Sequence, residues 1–193
     1  MRTPRKAYLE ALVATLDPAR DLLVAGLGAN ARYLPHLRPR VPYLALCDAM
    51  GAALPLGLGM ALARPEQEIV ALEGDGSLLM NLGTLATIAG SRAPNFTAVV
   101  FDNGAYESSG GQALPPVPVD FVAVARGAGM PVAERLDDAR AFAEALRRAR
   151  RQGPALLAVV TAFDPHEAIP PYTERPDEIR INFLRDLAAQ RAR

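Results

Sequence analysis

The stretch EGDGSLLMNLGTLATIAGSRAPNFTAVVFDNGAYESSGGQ, residues 73–112, decides how the chain folds. An apolar run, Ile69 to Leu72, empties into the turn Gly74-Asp75-Gly76-Ser77, and a helical pattern follows to about Gly90. A second run rich in β-branched and apolar residues, Phe96 to Phe101, ends at Asp102-Asn103-Gly104. The order is strand, turn, helix, strand, turn. In an open parallel sheet each such turn falls at the carboxyl end of its strand, so two successive turns can face one ligand. Both turns carry oxygen donors. Asp75 offers a carboxylate and Asn103 an amide carbonyl, hard ligands of the kind Mg²⁺ takes together with waters and phosphate oxygens. Gly76 and Ser77 open the helix, where free N–H groups and the helix dipole can receive a phosphate. Each turn also has a plainer reading, Asp75 as a helix N-cap and Asn103-Gly104 as an ordinary turn.

Outward from this stretch the pattern is that of an α/β fold, an open, mainly parallel sheet flanked by helices on both faces. A covering helix is predicted over 3–16 from the spacing of Tyr8, Leu9, Leu12, Val13 and Leu16, and a buried strand over Asp21 to Ala25. Gly26 to Asn30 then forms a glycine-rich turn, Pro35 to Pro42 an irregular connection, and Tyr43 to Leu46 a short strand. A helix of small residues is predicted over Ala52 to Ala63, where Gly57 and Gly59 point to close backbone approach. Between the two motif turns, Leu78, Leu79, Leu82, Leu85, Ala86 and Ala89 mark one buried helix face. Tyr106 to Gln112 is a polar, glycine-rich loop placed to close over a site. Further on come a helix from Asp120 to Gly129, a strand from Met130 to Ala133, a helix from Asp137-Asp138 to Arg151, a strand from Ala155 to Thr161 and a helical tail over 177–191.

Composition narrows the function. The 193 residues suit one domain, half of them are hydrophobic, and 21 basic residues cancel 21 acidic ones. No global field is left to gather nucleic acid or an anionic membrane. Arg147, Arg148, Arg150 and Arg151 read as a solvated helix C-terminus, where cations are favoured. The single Cys47 allows no intrachain disulfide, and no apolar run approaches the roughly 18 residues of a membrane span. A cytoplasmic protein is expected.

The GDG turn, a spacer of about thirty residues and the Asn-containing turn resemble the diphosphate-binding motif of thiamine-diphosphate enzymes. More narrowly, GDGSLLMN (74–81) with DNGAYESSGGQ (102–112) is similar to the sulfopyruvate and phosphonopyruvate decarboxylases. The resemblance implies thiamine diphosphate and Mg²⁺ as cofactors. Asp75 and Asn103 would be side-chain metal ligands, with the main-chain carbonyl of Ala105 as a third. Gly74, Gly76 and Ser77 would hold the diphosphate, with Tyr106 beside them. The loop at Gly28 and Asn30 resembles the family's first diphosphate-side loop, although a lone G-x-G serves any tight turn. Met50 stands where a bulky apolar residue wedges between the cofactor's rings and holds it bent; a core Met is the alternative. Two residues earlier, where the family has a glycine whose carbonyl meets the aminopyrimidine, this chain has Asp48, which adds negative charge near the reaction centre.

The implied reaction is decarboxylation of a small anionic 2-oxo acid, sulfopyruvate or phosphonopyruvate, to CO₂ and an aldehyde. It also needs a Glu on a pyrimidine-binding domain to activate the cofactor, and no second α/β pattern occurs in residues 1–193. The resemblance therefore implies a diphosphate-binding subunit of a split enzyme, in a hetero-oligomer with a pyrimidine-binding partner subunit and paired copies of this chain. Two other readings stand beside it: the thiamine-diphosphate subunit of a 2-oxoacid:ferredoxin oxidoreductase, and a non-catalytic cofactor-binding subunit.

Overall fold

Residues 2–115 and 118–191 are described by a computed structural model. In chain order it contains α1 (Arg5–Thr15), β1 (Asp21–Ala25), α2 (Ala29–Leu37), β2 (Tyr43–Ala45), α3 (Ala53–Ala63), β3 (Glu68–Gly74), α4 (Asp75–Leu79) and α5 (Thr84–Ser91). There follow β4 (Phe96–Asp102), β5 (Ala105–Tyr106), β6 (Gln112–Ala113), α6 (Phe121–Gly127), β7 (Val132–Leu136), α7 (Ala139–Ala149), β8 (Ala155–Val160) and α8 (Pro176–Arg191). Six strands form one parallel sheet in the order β2-β1-β3-β4-β8-β7, and β5 pairs with β6 in a separate antiparallel ribbon.

The central strands are apolar on both faces, as a parallel sheet covered on both sides requires. On one face Leu22, Ala71, Ala98 and Leu156 pack against α3, α5, α6 and α8. On the other Leu23, Leu72, Val99 and Leu157 pack against Tyr8 and Leu12 of α1, Leu34 of α2 and Phe142 of α7. The chain runs from β1 outward to β2 and then back across to β3, so strand order reverses beside β1. Such a reversal opens a crevice at the carboxyl edge.

Several elements depart from the sequence-based expectation. The helix expected to run from Gly76 to Gly90 is broken into α4 and α5. Around Met80 to Gly83 the bonds tighten to three-residue spacing, as in Asn81 N–H to Leu78 O (2.9 Å) and Thr84 N–H to Asn81 O (3.0 Å). The break lets the Asn81 amide reach back to the carbonyl of Gly51 (3.0 Å). It also re-phases the buried face, so that Leu85, Ile88 and Ala89 are buried, Leu79 and Leu82 half-buried and Ala86 exposed. α2 runs through Pro35 to Leu37, into the stretch expected to be irregular. Proline removes one N–H in the last turn, and Arg38 closes the helix in a left-handed conformation with its N–H on Leu34 O. β7 begins at Val132, because Pro131 has no N–H to give a ladder.

The arginines after α7 are not merely solvated. Arg150 forks onto Asp21, fully buried at the start of β1, with 2.7 and 2.5 Å bonds, and Arg151 pairs with Glu68 at the start of β3 (2.6 Å). These pairs close the amino edge of the sheet. Replacing Arg150 by Met strands a buried carboxylate, so denaturant titration should show a loss of about 3–5 kcal/mol. A loss below roughly 1 kcal/mol, the range of a surface pair, would contradict this role.

Candidate functional site

Gly74 ends β3 in an extended conformation and Asp75 begins α4, which carries its carboxylate toward the end of the neighbouring β4. Asp75 is 2% exposed. Its Oδ1 accepts the N–H of Gly76 (2.8 Å), and its Oδ2 accepts the N–H groups of Asn103 (2.9 Å) and Gly104 (2.6 Å). The two motif turns therefore meet on one side chain. Asn103, also buried, turns its Oδ1 to the N–H of Ala105 (2.9 Å) and its Nδ2 to Glu107 Oε2 (3.4 Å). Burial pushes the Asp75 carboxyl up to about 6, against the opposing pull of the Gly104 and Gly76 N–H groups.

Around this pair lies a crevice at the carboxyl edge of the sheet. The structure brings Gly28, Asn30, Met50, Gly74, Asp75, Gly76, Ser77, Asn103, Ala105 and Tyr106 to its walls. Asp48 is exposed and lines no part of it. Met50, two residues further along the turn leading into α3, does line it. Gly51, at φ +71°, donates its N–H to Ser77 Oγ (2.7 Å), and a Cβ there would lie 2.8 Å from Asn81 Cβ. Tyr106 lies on Gly76 so closely that a Cβ at that glycine would stand 2.6 Å from the ring. On the β1 side, the N–H of Gly28 is taken by the hydroxyl of Tyr172 (3.0 Å).

Among the described residues two buried polar groups have an atom without a partner, Asn30 Oδ1 and Glu73 Oε1. Glu73 does not line the crevice; its Oε2 accepts the N–H of Ala53 at the start of α3 (3.1 Å), and burial pushes its carboxyl up. Gly26 leaves the space it fills, since a Cβ there would stand 2.1 Å from Oε1. Asn30 does line the crevice, and half a turn of its amide exchanges acceptor for donor.

Sequence reading missed Arg5, Glu107 and Ser108 on the crevice wall. Arg5 belongs to α1 and is 3% exposed, held by Glu107 and Glu167. Its partners are 102 and 162 residues away, a separation no local pattern reveals. Glu107 lay in plain view in the polar loop. Tyr33 gives its hydroxyl to Glu167 (2.9 Å), and burial followed by that carboxylate pushes the phenol up to about 12, so it remains a donor.

Among the described residues no three His, Cys, Asp or Glu side chains gather as a metal site. The donor set at the crevice is of another kind, the Asp75 carboxylate with the Asn103 amide and main-chain oxygens, beside a Glu107 carboxylate already paired with Arg5 and an Asn30 amide whose Oδ1 has no partner. It fits a divalent cation carrying a diphosphate, because such a cation takes few protein oxygens and completes its shell with phosphate and water.

Residues 27–159 match the family model described as thiamine pyrophosphate enzyme, C-terminal TPP binding domain. The chain belongs to this family. Among its relatives, it is 42% identical over 125 residues to a phosphonopyruvate decarboxylase of Streptomyces hygroscopicus, covering 65% of this chain and 31% of that one. It is 35% identical over 138 residues to the sulfopyruvate decarboxylase subunit beta of Methanothermobacter thermautotrophicus, covering 72% of this chain and 73% of the subunit. The fold is shared with a candidate thiamin diphosphate-dependent enzyme isolated from Mycobacterium smegmatis, at TM-score 0.68 and 21% identity over 84% of this chain and 32% of that one. The chain thus spans about a third of the length of the phosphonopyruvate decarboxylase.

Gly51 and Gly59 should respond oppositely to alanine. Gly51→Ala meets both a left-handed backbone and a filled space and should cost about 1–3 kcal/mol. Gly59, inside α3 with nothing within 4 Å of its missing Cβ, should gain roughly 0.5–1 kcal/mol. Parallel urea titrations decide between them, and equal effects would show that the Met50 turn is not held as described.

Proposed function

We propose that residues 1–193 act as one domain, the diphosphate-binding subunit of a split thiamine-diphosphate-dependent 2-oxo acid decarboxylase, working in the cytoplasm. One observation carries the reading: the buried Asp75 carboxylate and the Asn103 amide meet at a single crevice, beside the N–H groups that open α4. In this reading Asp75, Asn103 and the Ala105 carbonyl hold Mg²⁺. Gly28, Asn30, Gly74, Gly76, Ser77 and Tyr106 hold the diphosphate, Met50 keeps the cofactor bent, and Asp48 stands beside the aminopyrimidine, outside the crevice that this chain forms alone. Thiamine diphosphate, when bound, supplies the carbanion and the electron sink. The chain's own residues position it, and burial of Asp75 strengthens the hold on a cation.

Similarity to a beta subunit along 73% of its length supports the split arrangement, and so does the 27% identity over 164 residues to another such subunit, from Methanococcus maripaludis, along 88% of its length. A pyrimidine-binding partner then contributes the activating Glu and much of the substrate pocket, in a hetero-oligomer with paired copies of this chain. Sulfopyruvate is the first substrate choice and phosphonopyruvate the second. The protein alone, with thiamine diphosphate and Mg²⁺, should release no CO₂ from sulfopyruvate above background, and adding the partner should restore turnover. Full turnover by the isolated chain would refute the split.

The cation site has its own pH signature. Asp75 is raised from its ordinary 3.8 to about 6, so the unfolded chain ionises at lower pH than the folded one. In the free protein this group's contribution to stability therefore falls as pH rises from about 4 to about 6, by on the order of 3 kcal/mol in all. A bound cation offsets that loss only where the carboxylate is ionised. The rise in unfolding temperature on adding Mg²⁺ and thiamine diphosphate should accordingly be larger at about pH 7.5 than at about pH 5. An equal rise at both would remove Asp75 from the ligand set.

A further inference from the structure

Arg5 and Glu167 both lie outside residues 27–159, the part of the chain matched to the family. Yet Arg5 is the buried cation on the crevice wall. Its Nη1 and Nη2 donate to Glu107 Oε1 (3.0 Å) and Oε2 (2.5 Å), and Nη1 also donates to Glu167 Oε2 (2.9 Å). Glu107 Oε2 in turn accepts from the Asn103 amide, and Glu167 Oε1 accepts from Tyr33 on α2. One guanidinium thus links the loop after β4, the helix after β1 and the segment after β8.

A rigid frame delivers it there. Tyr8 donates its hydroxyl to Val160 O (3.1 Å), Thr161 donates its hydroxyl to Thr3 O (3.0 Å), and Thr3 donates its own to Asp137 O (2.7 Å). The start of α1 is pinned on both sides of Arg5.

We propose that Arg5 is a positioning residue for the cofactor crevice. It neutralises and orients Glu107, and Glu107 holds the Nδ2 of Asn103. Asn103 Oδ1 therefore stays on the Ala105 N–H, with its second lone pair left for a cation. Without Arg5, two mostly buried carboxylates lose their shared counter-charge and the loop carrying Glu107 must swing outward. Groups that orient a metal ligand from behind commonly change metal affinity 10–100-fold. The cation arm of the test rests on the proposed cofactor reading; the exchange arm does not.

In the ligand-free full chain, amide hydrogen exchange at Asn103, Gly104 and Ala105 reports this geometry directly, because those N–H groups close onto Asp75 and Asn103. Arg5→Met should speed exchange at these three by about tenfold or more while Leu157 in β8 keeps its wild-type rate. Arg5→Lys, which keeps the charge but not the fork, should recover part of the protection. If all amides quicken together, or none does, the pair is structural only and the proposal fails. With thiamine diphosphate present, calorimetry with Mn²⁺ as the probe should show roughly 10–100-fold weaker binding in Arg5→Met and in Glu107→Gln, with Arg5→Lys between. Unchanged affinity in all three variants overturns the positioning role. A wild-type chain that binds no Mn²⁺ sinks the cofactor reading and leaves the exchange result to decide this one.

Discussion

The Asp75 carboxylate, closed in between the ends of β3 and β4, is the interaction on which the rest depends. Ionising a group so deeply buried is costly, and three main-chain N–H groups offset part of that cost. Two of those donors belong to the turn after β4, so satisfying one side chain ties together two turns about thirty residues apart. The parallel pairing of Gly74 with Phe101 sets the strand ends level, which allows the contact. The remaining cost is seen in the raised ionisation of Asp75.

Around this bond the site is assembled in two layers. The first belongs to the region shared with the thiamine pyrophosphate enzymes: the turns after β1, β3 and β4, and the Met50 turn locked by Ser77 and Asn81. The second comes from outside it. α1 contributes Arg5, while the segment after β8 contributes Glu167 and Tyr172 and also accepts two bonds from Arg32 at its carbonyls. The outer layer neutralises charge and holds loops that the inner layer uses.

Much of the fold was legible because burial on both faces leaves an unbroken apolar run. β1 lies where DLLVA stands, and β8 covers ALLAVV. The helices expected from Asp120 and from Asp137-Asp138 stand as α6 and α7, where the structure shows Asp120 and Asp138 as side-chain caps. What misled was local regularity in places where a distant contact prevailed. The helix after Asp75 has good helical spacing through residue 90, yet it breaks where Asn81 turns to Gly51. Arg150 and Arg151 look like a solvated run, yet each meets a carboxylate that starts another strand at the amino edge of the sheet.

By itself the sequence determined a parallel α/β sheet and the pairing of a GDG turn with an Asn turn, because strand burial and turn chemistry are short-range properties written in adjacent residues. Only the tertiary structure decided which charges meet, where the helix after Asp75 breaks, and that Arg5 stands at the crevice. Those outcomes depend on contacts between groups as many as 162 residues apart, whose energies exist only once the sheet has brought them together.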